Sequence, residues 1–197
     1  MRNRGLRDDP VARCDDAEEL LANPVENART ELVRGRMIVR EPAGWTHGDI
    51  AARVLVAISA HLTAERGTLG LSVPRGRVLA AETGFTLQRN PDTVRAPDVA
   101  DVRWDRCPAV PPAGFAEFAP DLAVEVLSPA DLAGEMLAKV GDWITAGTLL
   151  VWLVDPSRRE ARVYRADGSE STLVAPAVLS GENVLPGLLI ELADVFD

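Results

Sequence analysis

Cysteine is scarce in this chain: Cys14 and Cys107 are the two among 197 residues. They lie far apart, one in an expected tail and one in an expected loop. Neither a disulfide framework nor a zinc-type spacing is available, a usage that suits a reducing compartment and makes a cytoplasmic protein the simplest expectation. No apolar run approaches the roughly 18–20 residues of a membrane span, and the N-terminus lacks a hydrophobic signal region. No membrane partner is expected. Basic runs are missing too, since Arg158-Arg159 is followed at once by Glu160. With 30 acidic against 21 basic residues the net charge is −9, which argues against a broad surface that grips nucleic-acid backbones. Phosphate-cradling G-x-x-x-x-G-K-[ST] and G-x-G-x-x-G loops, a G-x-S-x-G elbow and Cys/His metal spacings are all absent. Nucleotide binding, serine hydrolysis and structural zinc are therefore poorly supported. There is no internal repeat and no low-complexity segment.

What is present reads as one soluble domain of ordinary size, 47% hydrophobic and 26% charged. Residues 1–29 are mixed in charge and aperiodic, which predicts a flexible tail with a short helix around Ala17 to Ala22. Residues 30–197 form the expected domain. Glu31-Leu-Val-Arg-Gly35-Arg-Met-Ile-Val39 predicts a β-hairpin turning near Gly35. Glu31 is either a solvated strand carboxylate or a site residue. Thr46-His47-Gly48-Asp49 predicts a helix start, with Thr46 as N-cap and Asp49 completing a capping-box pattern. Ile50, Val54, Ile58 and Leu62 recur at helical spacing, and Gly67 is the expected stop. His47 and His61 share that apolar face; His61 reads as a satisfied core residue, and His47, in the first turn, as a candidate for chemistry.

Short strands are expected at Arg77–Ala80 and Gly84–Gln88, with a turn at Asn90-Pro-Asp. Val94 to Val102 reads as one strand made irregular by Pro97, with Asp98 immediately after it. Residues 105–120 carry Pro108, Pro111, Pro112 and Pro120 and predict a loop. Leu149 to Val154 is almost continuously apolar, as expected of a central strand covered on both faces. Ala161–Arg165, Ser171–Val174 and Leu188–Leu192 predict peripheral strands, with Asp167-Gly168 as a hairpin turn.

The most informative stretch is Asp121-Leu-Ala-Val-Glu125-Val-Leu-Ser128. Period-2 alternation puts Leu122, Val124 and Val126 on one face of a strand, and Asp121, Ala123, Glu125 and Leu127 on the other. A carboxylate in such a strand costs several kcal/mol to bury unless something pairs with it. Ser128-Pro-Ala-Asp131 predicts a helix start, with Ser128 as N-cap, running to Ala146 and stopping at Gly147. Its apolar stripe is Leu132, Met136, Val140, Trp143 and Ile144. At about 100° per residue, Lys139 falls about 20° from Leu132 and about 40° from Trp143, inside the stripe. Glu135 is a local partner for Lys139 at i, i+4, but a partner on the sheet is favoured. Strand, helix, strand predicts a parallel crossover. Two carboxylates, Asp98 and Glu125, with a lysine on the crossover helix suit a hard cation such as Mg²⁺ (or Mn²⁺), which prefers oxygen ligands and keeps several waters. Such an ion can generate a hydroxide nucleophile and stabilise a phosphoryl transition state.

Glu31-Leu-Val-Arg-Gly35, Thr46-His47-Gly48-Asp49-Ile50, Arg95-Ala-Pro-Asp98-Val99, Pro120 through Pro129, Lys139 and Val151-Trp-Leu-Val-Asp155-Pro156 together resemble the Uma-type (Uma-two) family. That family comprises bacterial proteins described as restriction endonucleases, within the PD-(D/E)-x-K nuclease superfamily. The resemblance runs from about residue 28 to residue 197. It implies an α/β (mixed α+β) restriction-endonuclease-like core, with a mixed sheet flanked by helices and an N-terminal β-hairpin. It further implies a metal-dependent endonuclease with Mg²⁺ at Asp98 and Glu125, acting on nucleic acid, DNA more than RNA. The superfamily's lysine stands two residues after the second acid, where this chain has Leu127. The resemblance implies that the lysine comes instead from the following helix, as Lys139. Glu31 and His47 match positions common in the family and are expected to line the same cleft. A homodimer is expected by analogy with other nucleases. The alternative expectation, which the charge of −9 favours, is a catalytically inactive binding or regulatory domain on the same fold.

Overall fold

The computed structural model describes residue 14 and residues 16–23, 28–70, 72 and 75–197. The hairpin forms as expected from β1 (Arg29–Val33) and β2 (Arg36–Arg40). Arg34 at φ 49° and Gly35 at φ 71° make a two-residue turn of the kind whose twist matches the flanking strands. With β4 (Phe85–Gln88) and β5 (Thr93–Arg95) the hairpin builds a sheet in the order β2-β1-β5-β4.

The larger sheet contains β3 (Gly76–Ala80), β6 (Val99–Arg103), β7 (Leu122–Val126), β8 (Leu150–Asp155), β9 (Glu160–Arg165) and β10 (Glu170–Val174), in the order β10-β9-β8-β7-β6-β3. β7 and β8 run parallel across the crossover helix α3 (Ala133–Thr145), and the other neighbours are antiparallel. Alternation along β7 divides the core as expected. Leu122, Val124 and Val126 pack with Ile50, Val54, Ile58 and Leu62 of α2 (Trp45–Thr68) on one face. Ala123 and Val151 pack with Val140 and Trp143 of α3 on the other. Each large aliphatic side chain so buried contributes about 1.5–3 kcal/mol relative to exposure. The mixed sheet is thus flanked by helices on both faces, a restriction-endonuclease-like α+β core.

Several local expectations are corrected. Val94–Val102 is not one strand. β5 belongs to the small sheet and β6 to the large one, and the chain changes sheets at Ala96-Pro97-Asp98, where Pro97 lacks the donor that a continuous ladder needs. α2 begins at Trp45 with Gly44 as N-cap and no side-chain capping bond, so Thr46 is not the cap. Its end overruns Gly67 to Thr68, and Gly70 takes the left-handed position, φ 62°. Ser128 and Asp131 bond to each other, the Ser128 N–H and hydroxyl donating to Asp131 Oδ2 at 2.7 and 2.8 Å. This closes a separate turn ahead of α3, which starts at Ala133 with Leu132 as N-cap. Leu132 is 63% exposed and lies outside the buried stripe. The last predicted strand shortens to β12 (Leu189–Glu191), which pairs with β11 (Val178–Ser180) and leads into α4 (Leu192–Phe196).

Of the segment expected to be a tail, residues 1–13, 15 and 24–27 lie outside the described residues. Ala17–Ala22 forms helix α1, capped by Asp16, and Cys14, Ala17 and Leu20 pack against Leu32, Met37 and Val94. That part of the segment is docked, because its small apolar face covers the hairpin. Among the described residues no helix is long and apolar enough to cross a membrane.

One buried carboxyl of the large sheet has no partner among the described residues: Asp101 of β6 is fully buried, and neither side-chain oxygen has a hydrogen-bond donor there. Burial, with the Asp121 carboxylate nearby, pushes its carboxyl up to about 7. Its proton is therefore retained on folding between the usual aspartate range and about pH 7, so folding is favoured at the acid end and loses ground as pH rises. Stability is expected to fall by about 1.4 kcal/mol per pH unit from this group across that window. In Asp101→Asn that contribution to the slope should vanish when urea denaturation is followed from pH 4 to 7.

Candidate active site

The change of sheets at Ala96-Pro97-Asp98 brings the chemistry-bearing residues together. Asp98 leaves the small sheet just before β6, and its backbone N–H already donates to Val124 O of β7 at 3.0 Å. Glu125 is the next residue on β7, on the α3 face, where Ala123 leaves space beside it. Lys139, one helical turn before Trp143, reaches the same point from α3. All three line one cavity of about 610 Å³, together with Glu31, Arg29 and Arg40.

Lys139 does have its partner on the sheet. Its Nζ donates to Glu125 Oε2 at 2.8 Å, lies 2.9 Å from Glu31 Oε1, and donates to Ala96 O at 3.0 Å. Glu135, the local alternative, pairs with Arg40 instead at 3.1 Å. The other oxygen of Glu125, Oε1, accepts from the fully buried Trp143 indole at 2.8 Å. Glu31 is not solvated. It is buried, accepts from Arg95 at 2.9 Å and from the Ala96 N–H at 3.0 Å. Arg95 in turn donates to Asp142 of α3 at 2.6 and 3.0 Å. Asp98 Oδ2 accepts from the Val126 N–H at 2.8 Å and sits 3.1 Å from His47 Nε2; Oδ1 accepts from Arg29 at 3.2 Å.

The five residues expected at the site therefore converge: Asp98, Glu125, Lys139, His47 and Glu31. His61 does not belong; its Nε2 lies 3.2 Å from Pro186 O, a satisfied structural contact. Sequence reasoning missed Arg29, Trp143 as a hydrogen-bond donor, and the Arg95–Asp142 pair. Trp143 was visible only as a member of the apolar stripe. Arg29 and Asp142 carried no signal, because isolated surface-type charges give no hint of where tertiary contacts will take them.

The charges are uneven. Burial raises the Glu31 carboxyl most, but Lys139, Arg95 and the Ala96 N–H outweigh it and hold the group below the usual range. Burial also raises Asp98, and His47, the Val126 N–H and Lys139 reverse the balance, leaving it low. Glu125 goes the other way. Its complete burial, with Asp98 and Glu31 as neighbouring anions, overcomes Lys139 and pushes the carboxyl up to about 7. Burial pulls Lys139 down, but Glu125 and Glu31 more than compensate, so the ammonium stays charged.

Among the described residues no group of three or more His, Cys, Asp and Glu side chains converges as a metal-ligand cluster. The acceptors left over are those of three carboxylates: Asp98 Oδ1, Glu31 Oε2 and both Glu125 oxygens each accept one bond, and each carries a further lone pair.

The model of the Uma2 family, described as "Putative restriction endonuclease", matches residues 17–193. The chain belongs to this family. The family match begins at α1, in keeping with the packing of that helix on the hairpin. A solved structure described as "a putative nuclease belonging to DUF820 from Anabaena variabilis ATCC 29413" is similar over 91% of this chain and 96% of that one, at 24% identity with a TM-score of 0.75. It has the same fold as this Uma2 chain. No curated protein matches the chain.

Removing Lys139 would leave two buried carboxylates facing each other, an uncompensated charge of a kind that costs about 3–5 kcal/mol. Lys139→Met is expected to lose about that much at pH 8 and less at pH 6, where Glu125 can take up a proton. Urea denaturation at the two pH values reads the difference.

Proposed function

We propose that the chain is a Mg²⁺-dependent nuclease that hydrolyses phosphodiester bonds of nucleic acid, DNA in the first place. The observation that carries this reading is the trio Asp98, Glu125 and Lys139. It joins two carboxylates at one cavity with a lysine donating to the second acid at 2.8 Å. Membership of a family described as restriction endonucleases points the same way.

The donor set fits a hard dication. Mg²⁺ usually takes one or two protein carboxylates and retains waters, and the cavity of about 610 Å³ has room for those waters. The spare lone pairs on Asp98 and Glu125 would hold the ion, and Glu31 adds negative charge alongside. When bound, such an ion lowers the pKa of a coordinated water and offsets charge on the phosphoryl oxygens. The protein's own groups do the positioning. The Val126 N–H and His47 orient Asp98, and Trp143 and Lys139 each hold one oxygen of Glu125. Arg95 anchors Glu31 to Asp142 of α3. Lys139 acts on the acids around it: an ammonium has three donors, and all three are engaged by Glu125, Glu31 and Ala96 O. It orients and neutralises Glu125; it does not present a free proton to water. Hydrolysis adds the water oxygen to phosphorus and breaks one P–O ester bond, leaving a phosphomonoester and a hydroxyl.

Purified protein with Mg²⁺ or Mn²⁺ should nick plasmid DNA or cut oligonucleotides, and Glu125→Gln should reduce this at least a hundredfold while the circular dichroism spectrum is retained. Equal rates for wild type and Glu125→Gln would sink the nuclease reading.

A second reading, a non-catalytic binding domain, is favoured by the charge of −9 and by the internal pairing of Glu125 and Lys139. Titration calorimetry separates the two. The nuclease reading expects Mg²⁺ or Mn²⁺ binding at millimolar metal that is lost in Asp98→Asn; no heat at all in wild type supports the non-catalytic domain.

A further inference from the structure

Asp98 stands where two cavities meet. The second cavity, about 730 Å³, lies between α2, the segment Pro42–Ala43 and the end of β3, and shares Ala28, Arg29, Pro42, Ala43, Glu82 and Asp98 with the first. Its walls are mostly apolar, with Gly48, Ala52, Leu55 and Val56 of α2 facing Ala80 and Ala81; besides Arg29 and Asp98, His47 and Glu82 are the polar groups among them. Trp45 is the first residue of α2 and, at about 100° per residue, falls within about 20° of the wall residues Ala52 and Val56 on the helix. It is 91% exposed, an unusual position for so large an apolar side chain.

The cations near Asp98 differ in what they have left to offer. Lys139 has no spare donor, and Arg95 is buried between Glu31 and Asp142. Arg40 is tied to Glu135. Arg29 lines both cavities, its side chain is 26% exposed, and among the described residues Asp98 is its one partner, through Nη2. A guanidinium has five N–H donors in a planar fork suited to phosphate, so most of this one remains available.

We infer that Arg29, the apolar cavity and Trp45 form a nucleotide subsite for an unpaired strand: Arg29 takes a backbone phosphate beside Asp98, while the cavity and Trp45 take an unstacked base. The inference rests on the nuclease reading and names its substrate as single-stranded. In a duplex the faces of a base are covered by its neighbours, and only edges and phosphates are on offer. Beyond Arg29, His47, Glu82 and Asp98 the cavity's lining side chains offer no donors or acceptors for edges, and a chain of net charge −9 has no basic run to track two backbones. An unstacked base exposes the face that apolar walls and an indole complement.

The test is fluorescence anisotropy of a labelled single-stranded 12-mer and the matching duplex, with Ca²⁺ as the hard cation, across a salt series. The single strand is expected to bind at least tenfold tighter than the duplex. Trp45→Ala should weaken it roughly tenfold, since stacking on an aromatic ring is sequence-tolerant and strong. Trp45 is so exposed that its removal leaves the core intact. Arg29→Gln should lower the slope of log affinity against log salt by about 0.7, the value for one lost phosphate contact on a single strand. Ala52→Trp, at an exposed position of α2, should fill the cavity and abolish the preference for single strands. Duplex binding equal to or tighter than single-strand binding overturns the subsite and leaves the nuclease reading standing, as does wild-type affinity and salt slope in all three variants. Binding of neither form, together with no cleavage, overturns both.

Discussion

The Lys139 ammonium is the joint on which the site depends. Its three N–H bonds run to Glu125 on β7, to Glu31 on β1 and to the Ala96 carbonyl in the passage from β5 to β6. One side chain of α3 thus connects the large sheet, the small sheet and the segment between them. A buried charge is tolerable only when its partners leave no part of it unsatisfied, and here the ammonium is completely saturated. The same saturation defines what the residue can do. It fixes and balances the acids around it, and leaves direct contact with a substrate to other groups.

Around that joint, further pairs hold the hairpin over α3. Arg95 spans Glu31 and Asp142, Arg34 reaches Asp142 at 3.2 Å, and Arg40 reaches Glu135. The exposed pairs contribute little by themselves. The buried ones set geometry, because each carboxylate is fixed at both oxygens. Glu125 is the exception in charge: burial beside Asp98 and Glu31 raises its carboxyl even with Lys139 attached. A cleft with anionic charge still in excess of its cations is a place where a further cation is welcome, and that surplus links the packing of β7 to the proposed chemistry.

How much could be read beforehand differs from residue to residue. Glu125 was legible because a carboxylate in the alternation of a buried strand needs a partner. Lys139 was legible because helix phase put it inside an apolar stripe. The same pattern reading failed at helix ends. Thr46 and Ser128 both look like caps, yet α2 starts at Trp45 without a side-chain cap and Ser128 bonds to Asp131 in a turn of its own. Capping preferences amount to about a kcal/mol, and tertiary packing readily overrides them. Trp143 passed for an ordinary core residue, because an indole shows its donor only when a buried acceptor lies in reach.

By itself the sequence determined the alternation of β7, the apolar faces of α2 and α3, the break at Pro97 and the presence of two acids and a lysine that needed one another. These are local properties, set by the two periodicities of the backbone and by the missing donor of proline. Tertiary structure alone decided that the break at Pro97 is a change of sheet, that Glu31 is buried, and that Arg29 and Trp143 reach Asp98 and Glu125. Those contacts join residues far apart in the chain, from Arg29 with Asp98 to Glu31 with Lys139. No periodicity encodes such meetings; the joint packing of two sheets against one helix does.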